Sequence, residues 1–288
     1  MTDRINIAMW SGPRNLSTAL MRSFGNRKDV LEVYDEPFYA AYLKTTNKQH
    51  PMFQEVLDSQ EQNYNLVVKN CISQEGTGIC YQKHMVHHLL PSFDLDWVLL
   101  SKNCFLIRKP EDVISSFLNK WPIATFEDFG FKEQLNLYNF IKKKSEKEPI
   151  VVDANDLRKD PKKTLKKLCE SLRIKWDSSM LSWTPGLKSY DGVWAKHWYP
   201  SVMSSDSFKP LSNTKKTYNQ NIMNYAHMAQ DYYEELYEEL ADEDGWAVMV
   251  NFHKASQHDF LLKKLNRYIE LMEFDNWRTY KPEDFFHL

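Results

Sequence analysis

The stretch INIAMWSGPRNLSTALMRSF, residues 5–24, constrains the fold more than any other part of the chain. A short apolar run leads to a single glycine, and an amphipathic run follows within a few positions, the pattern of a buried strand that turns directly into a helix. Gly12 permits a tight turn there. The backbone N–H groups entering the helix near Leu16 then form a concave anion site reinforced by the helix N-terminus. Pro13 has no N–H, so the donors begin at Arg14 and continue through Asn15 and Leu16, and Ser17 and Thr18 add hydroxyls. A nucleoside triphosphate loop reads G-x-x-x-x-G-K-[ST]. Here Gly12 is followed by PRNLST, with neither a second glycine nor a lysine before the hydroxyls. Arg14 instead places a planar, permanently charged fork on the turn, suited to an oxyanion.

The same alternation continues along the chain. VLEVYDEP, GICYQKH, CFLIRKP and PIVVDANDL read as four further strands, and helices intervene. PEDVISSFLNKW begins at Pro110 with acids in its first turn, and DPKKTLKKLCESL has Asp160 as N-cap with Pro161 in the first helical position. This order predicts an α/β, three-layer fold: a central parallel sheet flanked by helices, a first βα turn like a P-loop, and ligands at the carboxyl ends of the strands. Residues 183–210 show no period and read as a long ordered loop over the site, and 216–240 resume a helix. Residues 1–240 are expected to form the main domain. Beyond it DEDGWAVMVNF breaks the helix, and HDFLLKKLNRYIELMEF predicts a C-terminal helical extension over 241–288, packed on or near the domain or serving as a homo-oligomer contact.

The 288 residues, 42% of them hydrophobic, suffice for one large core, and a net charge of −2 gives no reason to expect nucleic acid or an anionic membrane as the main partner. Cys71, Cys80, Cys104 and Cys169 lack C-x-x-C spacing, and Cys80 and Cys104 fall in strand-like runs, which predicts buried, reduced thiols. The opening MTDRINIAMW is expected to be neither a signal peptide nor a span, and no later run is long enough to cross a bilayer. The expected compartment is the cytoplasm.

A second element narrows the function. FLIRKPEDVISSF puts Arg108 at a strand end and Ser116 eight residues later, roughly two turns into the next helix, an arrangement able to clamp a phosphate from two sides. With this pair the sequence resembles the sulfotransferases that use 3′-phosphoadenosine 5′-phosphosulfate (PAPS). PRNLST is similar to their P-[KR]-[SG]-G-[ST]-T loop for the 5′-phosphosulfate. Arg108 and Ser116 match their 3′-phosphate pair, and VVDANDLRKDPKKTLKKLCESLRI is similar to their Y-E-D-L-x-x-D-P segment. The likeness spans residues 5–235, and DEPFYAAYL, YQKHMVHHLLP and DGVWAKHWY resemble a bacterial-type subgroup acting on small molecules. The chain departs from the pattern in three ways. Arg14 stands where many members have lysine, Asn15 and Leu16 replace a small or glycine pair, and no tryptophan follows Thr18 to stack on adenine. Trp194, Trp198 and Tyr199 are candidates for that platform, and Lys196 for a second cation on the 3′-phosphate.

The resemblance implies transfer of a sulfuryl group from PAPS to a hydroxyl, amine or guanidine of a small acceptor, with Arg14 and Ser17 holding the phosphosulfate and stabilising developing charge. Candidates for the general base are Glu36 at the end of the second strand and His84, His87 and His88 after the third. Glu36 either serves as base or fixes Arg14 through an ion pair. The three histidines suit a metal only if all share one helix face, so no metal is expected. His50, His227, His253, His258 and His287 are expected at the surface or in packing. A small-metabolite kinase, which needs Mg²⁺ and an acid to hold it, and a nucleotide-binding module without turnover are the alternatives.

Overall fold

The computed structural model describes residues 4–211 and 216–240. The expected extension over 241–288 lies outside the described residues. Five strands form the sheet: β1 (Ile5–Ser11), β2 (Val30–Asp35), β3 (Ile79–Met85), β4 (Lys102–Ile107) and β5 (Ile150–Asp153). All pair in parallel, in the order β2-β3-β1-β4-β5. The first strand is therefore central, and the chain crosses from one side of it to the other between β3 and β4. Such a crossing opens a crevice at the carboxyl ends of the strands.

Helices α1 (Ser17–Gly25), α2 (Tyr39–Thr46), α3 (Phe53–Ser59) and α4 (Tyr64–Cys71) precede β3. Helices α5 (Pro110–Leu118) and α6 (Phe131–Lys144) join β4 to β5, and α7 (Ala154–Lys159) and α8 (Pro161–Ser171) follow β5. The expected long loop contains two single-turn helices, α9 (Ala195–Trp198) and α10 (Pro200–Met203), before α11 (Gln220–Glu238). Pro110 and Pro161 occupy first-turn positions and Asp160 accepts the Lys163 N–H, as their sequence positions predict. The helix expected from 216 starts later, because Asn219 caps it by accepting the Ile222 N–H at 3.0 Å.

Alternation along β1 builds two cores. Ile7 and Met9 face Leu20, Phe24, Leu43, Leu165 and Leu168, whereas Ala8 and Trp10 face Phe105, Leu137, Tyr138 and Leu236. Both faces of the central strand are thus covered, as a parallel sheet requires. All four cysteines are buried and unpaired. Among the described residues no helix is long and apolar enough to cross a membrane.

The long segment after β5 is fastened onto this core. Arg22 on α1 donates to both oxygens of Asp191, at 2.5 and 2.6 Å, with side chains only 0% and 2% exposed. Asp191 also accepts the Lys188 N–H, and the adjoining Gly192 N–H donates to Asp35 at the end of β2. Asp191→Ala leaves the Arg22 guanidinium buried without its counter-charge, and the expected cost is about 3–5 kcal/mol. Urea denaturation measures it; a loss below about 1 kcal/mol would contradict this anchoring role.

Candidate active site

The loop after β1 is shaped by close contact. A Cβ on Gly12 would lie 2.3 Å from the Phe129 carbonyl oxygen, so only glycine fits. Beyond it Arg14 and Leu16 both adopt left-handed backbone, with φ of 63° and 68°. That conformation costs a residue with a Cβ roughly 1–2 kcal/mol each. Alternation of left-handed with ordinary backbone turns successive N–H groups to one side, the geometry of an anion nest. No side chain among the described residues caps α1, consistent with its first N–H groups being reserved for a ligand.

This loop borders a pocket of about 310 Å³ at the carboxyl ends of β1 to β4. Arg14, Ser17 and Thr18 line it from the loop, Arg108 from β4, and Ser116 and Phe117 from α5. Arg14 Nε donates to Ser116 Oγ at 2.9 Å, and Arg108 donates to the Arg14 carbonyl at 2.8 Å, so two segments distant in sequence close on one another. Among the described residues no carboxylate pairs with Arg14, and Arg108 has only Asp112 at 3.9 Å. Burial, and for Arg14 also the neighbouring Arg108 cation, holds both guanidinium groups below their ordinary pKa. Arg108 Nε is buried without a hydrogen-bond partner among the described residues. A cation without a carboxylate partner, a second one held only loosely, and N–H groups at a helix start make an anion site.

A model of the sulfotransferase domain matches residues 5–232. The chain belongs to the sulfotransferase domain family. Over 213 residues it is 38% identical to branched-chain-amino-acid aminotransferase-like protein 1 of Arabidopsis thaliana and 35% identical to protein 2. Each match covers 74% of this chain but only 38% of the relative's own length. Among solved structures it is similar to the sulfotransferase domain of the Synechococcus PCC 7002 olefin synthase, at 14% identity and TM-score 0.44 over 79% of this chain and 94% of that one. The sulfotransferase domain from the curacin biosynthetic pathway matches at 13% identity and TM-score 0.48, over 80% and 99%. Mouse sulfotransferase SULT7A1, complexed with PAP, matches at 15% identity and TM-score 0.40, over 86% and 89%.

Across the pocket from the arginines lies Glu36, the one carboxylate among its described lining residues, in left-handed backbone (φ 50°) just after β2. Its partner is Lys83 on β3 rather than Arg14, because the β2–β3 register sets Asp35 opposite Lys83. Lys83 Nζ donates to Glu36 Oε1, to Asp35 Oδ1 at 2.9 Å and to the Tyr199 hydroxyl at 2.9 Å. Burial pushes the Glu36 carboxyl up, Lys83 opposes that push, and the Asp35 charge adds to it. For Lys83 burial acts downward, yet the two carboxylates outweigh it and hold the ammonium above its ordinary value.

The histidine candidates separate. His84 alternates to the opposite sheet face from Lys83, stacks on Trp10 at 4.2 Å and does not line the pocket. His87 and His88, in a 3-10 turn after β3, do line it. His50 joins them there, packed against the Tyr39, Tyr42 and Trp121 rings, with its Nδ1 2.9 Å from the Tyr39 hydroxyl. Asn15 is buried beside the loop and Leu16 borders the pocket. Lys196 is exposed on α9 and outside the lining, where Arg158 and Lys209 stand instead. Trp194 is fully buried and donates to the Tyr199 hydroxyl, so of the three proposed adenine platforms Trp198 presents the pocket with a ring, stacked 5.9 Å from Phe117. Tyr199 also borders it but commits its hydroxyl to Asp35, Glu36 and Lys83.

Burial pushes the His84 and His87 imidazoles down to about 3 and that of His50 to about 4, and His88 falls well below its usual value. Unfolded imidazoles take up protons near pH ~6.5. Between that value and about 4 the unfolded chain binds more protons, so stability is expected to fall as pH is lowered through this window. The urea midpoint should drop between about pH 7 and 5, while ring ¹⁵N shifts keep His84 and His87 neutral. A constant midpoint, with both rings protonating near pH ~6.5, would contradict this burial.

Proposed function

We propose that the chain transfers a sulfuryl group from PAPS to a hydroxyl or amine of a small acceptor. One observation carries this reading: the anion nest, with Arg14 free of any carboxylate among the described residues, faces Glu36, whose Oε2 no described residue hydrogen-bonds. The nest from Arg14 to Thr18 receives the 5′-phosphosulfate, and Arg14 stabilises charge growing on the transferred group and the bridging oxygen. Arg108 and Ser116 receive the 3′-phosphate, with Arg158 and Lys209 as the further cations in place of Lys196. Trp198 and Phe117 offer ring faces for adenine.

Glu36 acts as the general base in this mechanism. Its Oε1 is tied to Lys83, whereas no hydrogen bond among the described residues reaches Oε2. The acceptor oxygen or nitrogen forms a bond to sulfur, the bond from sulfur to the bridging oxygen breaks, and the acceptor proton passes to Oε2. 3′-Phosphoadenosine 5′-phosphate (PAP) leaves with the bridging electrons. Lys83, spent on three acceptors, keeps the cluster's charge low without supplying that proton. The four buried thiols support a reducing compartment, and the same reading places the activity in the cytoplasm.

Glu36→Gln should lower kcat by about 10²–10⁴ while PAP still binds. Because burial raises the Glu36 pKa, activity should fall on acidification through a limb above the ordinary carboxylate value of about 4.3. A base at His87 would instead put that limb near 3 and transfer the loss to His87→Asn. A Glu36→Gln protein with near-normal turnover would contradict the assignment.

A further inference from the structure

We propose that Tyr199 is a positioning residue whose single hydroxyl proton is shared between Asp35 and Glu36, holding Glu36 with Oε2 free for the acceptor. The inference rests on Glu36 being the base. It follows from counting donors and lone pairs. The Tyr199 oxygen accepts from Lys83 Nζ at 2.9 Å and from Trp194 Nε1 at 3.0 Å, which occupies both lone pairs. Its one O–H must then donate. The acceptors in reach are Asp35 Oδ1 at 2.8 Å and Oδ2 at 3.0 Å, and Glu36 Oε1 at 3.2 Å. One proton serves two carboxylates.

Lys83 has no N–H left to make up the difference, since its three are directed at Asp35, Glu36 and Tyr199. Asp35 has a further donor in the Gly192 N–H at 3.1 Å, and Glu36 has none among the described residues. The Tyr199 proton therefore swings toward Glu36 while that carboxylate is ionised, and toward Asp35 once Glu36 has taken the acceptor's proton. Glu36 keeps one orientation through both states. Lys83 from β3, Asp35 from β2, Tyr39 from α2 and Tyr199 surround it, with Arg14, His87 and His88 lining the same pocket. Tyr199 comes from the segment anchored by Asp191, and the carbonyl before it, on Trp198, accepts from Arg14 Nη1 at 3.3 Å. Both donor loop and base thus lean on two consecutive residues.

Tyr199→Phe keeps the ring and removes the proton. The acid limb of kcat should move about one unit to higher pH, the effect of losing one hydrogen bond to a charged group, and turnover on that limb should fall roughly tenfold. The donor KM should stay unchanged, because Arg14 and Arg108 are untouched. A merely structural role would lower yield of folded protein or shift kcat and KM together without moving the limb, and that result would overturn the proposal. Should Tyr199→Phe fail to fold, Asp35→Asn carries the test. It ends the competition for the proton and removes a like charge, so the limb should move to lower pH, and an unmoved limb would overturn the proposal. Turnover that survives Glu36→Gln removes the base and the proposal together. Turnover that is lost in Glu36→Gln, with an unmoved limb in Tyr199→Phe, removes the proposal alone.

Discussion

Two arginines share one half-buried corner where no carboxylate among the described residues neutralises Arg14, and the rest of the site is arranged around that excess of positive charge. Like charges held together away from water raise the energy of the protein by itself. The corner persists because the surrounding backbone over-determines it. Gly12 presses on the Phe129 carbonyl, Arg108 holds the Arg14 carbonyl, and Arg14 Nε is fixed on Ser116. The left-handed backbone at Arg14 and Leu16 adds strain of the kind that collects where a ligand binds. An anion with several negative charges relieves both costs at once.

The negative counterpart is kept apart from this corner. Glu36 could have neutralised Arg14, but the pairing of β2 with β3 gives it Lys83 instead, and Lys83 is held by Asp35 and Tyr199 as well. The cluster of two carboxylates and one ammonium is buried. Its hydrogen bonds come from β2, β3 and the segment fastened by Arg22 and Asp191. Misplacing that late segment would therefore disturb both the arginine corner, through the Trp198 carbonyl, and the carboxylate cluster, through Tyr199.

What was legible in the sequence was local. The β1 turn into α1 and the spacing of Arg108 and Ser116 each belong to one strand and its following helix, so their geometry is carried by short-range pattern. The parallel sheet followed from the βα alternation, and the helix starts at Pro110 and Asp160 from capping chemistry. What was not legible depends on register and on distant segments. His84 and Lys83 are neighbours in sequence, yet strand alternation sends one to Trp10 and the other to the site. Period 2 along GICYQKH separates them, but only the pairing with β1 says which face is which. Lys209 and His50 reach the pocket from parts of the chain with no motif, and Arg158 reaches it from a segment whose resemblance carried no chemistry. Lys196 is turned outward because α9 buries Ala195 and places Trp198 at the pocket.

The central claim is that this pocket recognises a nucleotide by two separate phosphates. Calorimetric titration of the full chain with PAP and with adenosine 5′-phosphate tests it most directly, in wild type and in Arg108→Ala. A charge-assisted contact from a partly desolvated arginine predicts that PAP binds at least about tenfold more tightly than adenosine 5′-phosphate. Arg108→Ala should erase most of that difference while leaving the weaker ligand nearly unaffected. Equal affinities in the wild type, or equal losses for both ligands in Arg108→Ala, would contradict the account.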